Sequence, residues 1–216
     1  MIVNIKQLHY IKAAFFIMFL LLLNSCSRPI PSFHDYTQID TTYPQQSELT
    51  EPDVKIITYG KDSFTIHPKA EYRVGALVRS KRAYRTDRMA KISPNDFALV
   101  WGILTDKHYY RQINISQGGR RYFFKLKKGA QLSVDWVYLN SSNHHLIPAN
   151  DNIRRALRSV RKNDVIELEG YLVNVHGNIK GRTFNWNTSL SREDKGDGSC
   201  EIMYVRRIKI RHQVYE

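Results

Sequence analysis

The chain has 216 residues, 42% hydrophobic and 12% aromatic, with a formal net charge of +13. That apolar content excludes a wholly disordered chain, and the length leaves room for one domain with a real core. The charge sets up a long-range field that attracts anions, which concerns association rather than fold.

Residues 1–12 carry Lys6 and Lys12 and no acid, and residues 13–23 are an unbroken apolar run of 11 residues. A bilayer-spanning helix needs about 20, so residues 1–25 read as a signal peptide: a cationic start, a short apolar stretch and small Ser25 before the cut. The end of this segment, Leu23-Asn24-Ser25-Cys26, resembles the lipobox of bacterial lipoproteins. The resemblance implies cleavage before Cys26 and a lipid on its sulfur. Ser27, where an aspartate would retain the protein on the inner membrane, implies sorting to an outer membrane, facing the periplasm. Each acyl CH₂ buried contributes about 0.8 kcal/mol, so several chains together hold a protein on a membrane. The part after the cut still carries +11. Its expected partners are the membrane, through Cys26, and an anionic glycan, lipid headgroup or envelope protein. An envelope address argues against nucleic acid.

Residues 26–53 follow the anchor. They contain Pro29, Pro31, Pro44 and Pro52 among many Ser, Thr and Gln, with few apolar residues. This composition predicts a flexible spacer, able to hold the domain up to about 90 Å from the membrane.

Residues 54–216 read as one basic, β-rich domain. Val54–Tyr59 and Ser63–His67 flank Gly60-Lys61-Asp62 as a hairpin. Five stronger strands follow: Tyr72–Ser80, Phe97–Leu104, Arg121–Leu126, Val165–Val175 and Glu201–Ile210. One helix starts at the Asn150-Asp151-Asn152 cap, with Ile153, Leu157 and Val160 on one face. Arg154, Arg155, Arg158, Arg161 and Lys162 lie on the other face and in the last turn. The order β-β-β-α-β-β resembles the OB-fold, a five-stranded, partly open barrel. Residues 162–170, with Gly170 at a sharp bend, resemble the turn and strand after the helix in such domains. A different antiparallel barrel or sandwich competes with this fold.

The resemblance implies recognition by the loops after strands one and four. The first, residues 79–91, holds Arg79, Lys81, Arg82, Arg85, Arg88 and Lys91; the second, residues 175–199, holds Lys180, Arg182, Arg192 and Lys195. Of these, Lys81, Arg82, Arg85, Arg88 and Arg182 are the candidate ligand-binding residues. Tyr84, Tyr109, Tyr110, Tyr122, Phe124 and Trp186 offer stacking surfaces beside the cations, or else core packing. Chemistry is not signalled elsewhere. Adjacent His144 and His145 point to opposite sides of a strand and make a poor metal pair. Asp194, Asp197, Ser199 and Glu201 lack calcium-loop spacing. With Cys26 acylated, Cys200 is a lone thiol that reads as a buried structural residue, with a cysteine-dependent hydrolase or acyltransferase as a remote alternative. No cofactor, metal site or catalytic motif is expected. A structural subunit of an envelope or secretion assembly is the nearer alternative to a binding module.

Overall fold

The computed structural model describes residues 28–50, 54–194, 196 and 198–216. The expected signal peptide and Cys26 lie outside the described residues. The protein is mainly β, and its spine is β4 (Asp62–Ala83). Even-numbered apolar residues run the length of β4, but a register shift between Pro68 and Ala70 turns the strand over. Phe64 and Ile66 therefore belong to one core cluster, and Tyr72, Val74, Ala76 and Val78 to another. An irregularity that re-aims a strand in this way lets one strand serve two cores.

Four other strands complete a closed circuit of pairings with β4. β5 (Asn95–Val100) pairs with β4 and with β8 (Ser141–Pro148), both antiparallel. β8 pairs in parallel with β11 (Glu201–Ile210), which pairs with β9 (Val165–Ile179), which returns to β4. Inside the circuit lie Trp101, Phe97, Leu99, Leu146, Ile166, Leu168, Met203 and Val205, all buried. Gly170 is required where β9 meets β11, because a Cβ there would stand 2.0 Å from the Tyr204 carbonyl oxygen.

The remaining strands extend the circuit. β3 (Lys55–Tyr59) hairpins onto β4, β10 (Arg182–Trp186) hairpins onto β9, and β12 (Gln213–Tyr215) folds back on β11. β6 (Ile113–Gly118) and β7 (Arg121–Leu126) form a separate two-stranded sheet. Two short helices, α1 (Lys107–Tyr110) and α2 (Val134–Leu139), flank it. The helix expected after residue 150 is α3 (Asp151–Ser159). Its Asn150 cap accepts from the Ile153 N–H at 2.9 Å, and Ile153, Ala156 and Leu157 are buried in the main core.

Two expectations are corrected. The third strand of the circuit is not Arg121–Leu126, which is the second arm of the separate hairpin. It is β8, Ser-Ser-Asn-His-His-Leu-Ile-Pro, all eight residues of which are buried. Its polar side chains are matched internally: Ser142 to Glu201, Asn143 to Gln117, His144 to Tyr72. Buried polar groups with partners avoid most of their desolvation cost, so a strand can look like a loop in sequence and still be core.

The spacer expected over 26–53 is, in its described part, applied to the sheet. β1 (Phe33–His34) pairs with β12, and β2 (Gln45–Ser47) pairs with β4. Between them the chain crosses Gly75 so closely that a Cβ there would stand 2.0 Å from the Asp40 carbonyl oxygen. Asp35 and Thr37 hold the ammonium of Lys209, which is 1% exposed. Backbone pairing and one ion pair between a half-buried carboxylate and a buried ammonium thus supply the ordering free energy that apolar content does not.

Candidate functional site

Residues 84–94 link β4 to β5 as a tight loop. The Tyr84 N–H donates to the Pro94 carbonyl at 2.9 Å and closes its base. Asp87 Oδ1 accepts from the Met89 N–H at 2.8 Å, an Asx turn. Ile92 and Met89 pack down onto the cluster of Phe64, Ile66, Val173 and Val175. With the apolar side seated, Arg85 and Arg88 stay exposed.

The turn between β9 and β10 is Lys180-Gly181, both with positive φ, at 51° and 79°. Two such residues make the tight hairpin that matches strand twist. Arg182, Phe184 and Trp186 then share one face of β10. Phe184 and Trp186 pack on the same cluster as Met89 and Ile92, which brings β10 to the loop. The Arg88 guanidinium lies 5.5 Å from the centre of the Phe184 ring. Asp62, 5% exposed, ties the two segments again: it is ion-paired with Lys91 and accepts from the Lys180 N–H at 3.0 Å. The Lys91 hydrogen bond, then that of Lys180, holds its carboxyl below the usual range. Arg85, Arg88, Lys91, Lys180 and Arg182 therefore stand on elements that touch.

Beneath this rim lies a buried polar layer. Arg120 occupies the tip of the β6–β7 hairpin with φ of 66°. Its guanidinium reaches Asp96 at 2.9 Å and Asp87 at 2.8 Å, and lies 4.0 Å from the Tyr84 ring centre and 5.8 Å from that of Trp186. His145 Nδ1 lies 2.9 Å from the other Asp96 oxygen, and its ring is 4.8 Å from that of Trp186. His144 points the other way, against Tyr72 and Trp101. Burial pushes its pKa down to about 3, with the Arg192 charge adding to the effect.

Of the five sequence-predicted cations, Arg85 and Arg88 in the loop and Arg182 on β10 stand on elements that touch. Arg82 lies in β4 rather than a loop, exposed and opposite Asp96 in the ladder. Lys81 is also in the strand, and its ammonium is engaged. It donates to the carbonyls of Leu157 at 3.1 Å, Arg158 at 2.7 Å and Val160 at 2.9 Å. A cation on the last carbonyls of a helix caps its negative end, so Lys81 serves α3 and has no donor left for a ligand. Lys91 and Lys180, counted with the cations of the two loops but not among the five candidates, are joined here through Asp62, whereas sequence reasoning missed Arg120 altogether. The one signal for Arg120 was its place after Gly118-Gly119, a turn that puts it at a hairpin tip.

Cys200 is largely buried, and its thiol is pushed up to about 11 by that burial. Its sulfur accepts from the Asn143 amide at 3.8 Å. A thiol held protonated beside an amide lacks the activation a nucleophile needs. Two wide clefts of about 680 and 750 Å³ open on another side, beside Tyr171 and Arg206. They carry both signs of charge, with Glu71 and Glu169 facing Arg73 and Arg206, and so present no single-sign surface to an ion. Compared with family models, with curated proteins and with solved structures, the chain finds no match in any of the three.

Proposed function

We propose that this chain is a lipid-anchored binding module of a bacterial envelope. It is held through Cys26 on the periplasmic side of an outer membrane and recognises an anionic envelope component through Arg85, Arg88, Lys91, Lys180 and Arg182. The observation that carries this reading is the junction of loop 84–94 with the β9–β10 turn, where Arg88 stacks on Phe184 and Asp62 joins Lys91 to Lys180. Cations from segments about ninety residues apart share one rim, with aromatic faces between them. That combination suits phosphate- or carboxylate-bearing ligands. The OB-type reading of the domain is supported by the five-strand circuit, with α3 falling between its third and fourth strands.

The test is retention of envelope fractions by the immobilised protein. The triple reversal Arg85→Glu, Arg88→Glu, Arg182→Glu lowers retention at least tenfold, and retention by the native protein falls with added salt. Equal retention by native and reversed proteins refutes the reading. The structural-subunit alternative would instead show a stable complex with one envelope protein that survives both the reversal and high salt.

A further inference from the structure

The anchoring reading has a geometric consequence that reverses the expected role of the residues after Cys26. Instead of holding the domain away, they are used up along its edge. The Ile30 N–H donates to Asn152 Oδ1 at 2.9 Å, and Asn152 Nδ2 returns a bond to the Ile30 carbonyl at 2.8 Å. The Ser32 N–H donates to the Val214 carbonyl at 2.7 Å and the Asp35 N–H to the His212 carbonyl at 2.8 Å. Only three residues, 27–29, lie between Cys26 and the docked Ile30, a span of no more than about 14 Å even when fully extended.

We infer that the β1–β12 edge lies against the headgroup layer of the membrane that holds the Cys26 lipid; the inference rests on that anchor. The surface itself has the chemistry of an interface. Ile30 is 70% exposed and Tyr36 80% exposed, although both belong to a segment otherwise fastened down. Tyr36 stacks on His212 at 5.2 Å and His212 on His34 at 5.6 Å, an aromatic row turned to the outside. Arg28 and Arg211, both exposed, flank it. Amphipathic rings beside cations are the side chains that settle at the headgroup level of anionic bilayers. The same arrangement aims the basic rim away. From Gly75, where the N-terminal segment crosses, β4 runs back through the irregularity at residues 68–70 to Asp62 and its partners Lys91 and Lys180. The domain stands on the membrane by one end and offers its cations at the other.

The test uses the full chain, processed in cells and reconstituted in vesicles of phosphatidylcholine with one-third phosphatidylglycerol and a trace of headgroup-linked acceptor dye. Donor dyes are placed singly on Arg211→Cys or Lys61→Cys. Both positions are exposed, and half-buried Cys200 is replaced by serine in both variants so that each carries one labelling thiol. Arg211 is remote from Cys26 in sequence, so only a docked N-terminal segment brings it to the bilayer. Energy transfer from position 211 is expected to exceed that from position 61 at least fivefold. Equal transfer from the two sites, with the acyl mass present on Cys26, overturns the inference and leaves the anchor standing. Absence of the acyl mass refutes the anchor, and the inference falls with it.

Discussion

Lys209 stands 2.7 Å from Asp35, joining β11 to the segment that passes over it. The same ammonium donates to the Thr37 carbonyl at 2.8 Å and the Thr37 hydroxyl at 2.9 Å. The Lys209 hydrogen bond, followed by those from Thr37, holds the Asp35 carboxyl far below the usual carboxylate range. A depressed carboxyl stabilises fully above its unfolded value, about pH 4, and loses that contribution as pH falls below it. Amide protection factors over residues 32–37 are therefore expected to be constant from pH 7 to about 5 and to drop in stronger acid. Asp35→Asn shows the acid behaviour at pH 7. Unchanged protection in that variant would mean that backbone pairing alone fastens the segment.

Arg120 is the one arginine or lysine ion-paired with fully buried Asp96 among the described residues, and His145 Nδ1 stands 2.9 Å from the other carboxylate oxygen. Removing one partner of a buried pair leaves a desolvated charge, a loss of about 3 kcal/mol or more. Arg120→Gly relieves the positive φ, yet urea unfolding is expected to show a net loss of about 2–3 kcal/mol. Arg120→Lys recovers little of it, because one ammonium cannot bridge Asp87 and Asp96 as the planar fork does.

His144 is neutral in the folded protein, with its pKa near 3, against about 6.5 in the unfolded chain. The unfolded state takes up a proton first, so stability falls as pH drops from about 6.5 towards 3, by at most about 1.4 kcal/mol per unit. Glu201, raised by its burial, opposes this: the folded state gains as pH falls through that raised value. His144→Gln should flatten the decline of the urea midpoint between pH 7 and 5. A slope as steep as that of the native protein would assign the acid sensitivity to other groups.

Lys81→Met tests the division between structural and recognition cations. Losing charge-assisted bonds to three carbonyls is expected to destabilise the fold by about 1–2 kcal/mol. Retention of envelope fractions stays within twofold of native, in contrast to the reversal at Arg85, Arg88 and Arg182. A tenfold loss of retention in a folded Lys81→Met protein would return this residue to the ligand rim.

What could be read in advance was whatever is encoded locally. The Asn150 cap with Ile153 and Leu157 announces α3, and alternation announces β9 and β11. β8 escaped because its burial depends on partners distant in sequence: Tyr72 for His144, Glu201 for Ser142, Asp96 for His145. The N-terminal segment escaped for the same reason, since nothing near Asp35 foretells Lys209. Basic residues counted along the chain did mark loop 84–94 and β10. Their roles split only in space, where the bulge between Val78 and Ser80 turns Lys81 towards α3.

The pairing of β1 with β12 also governs when the molecule can be finished. Ser32 and Glu216, 184 positions apart, meet through a hydrogen bond of 3.1 Å. Contacts between such distant positions form late. The edge therefore waits until residues 209–216 have been synthesised, and until then the Asp35 carboxylate has no ammonium to meet. Removing only the residues of β12 would release residues 32–35, so the loss of one short strand is felt about 180 positions away along the chain.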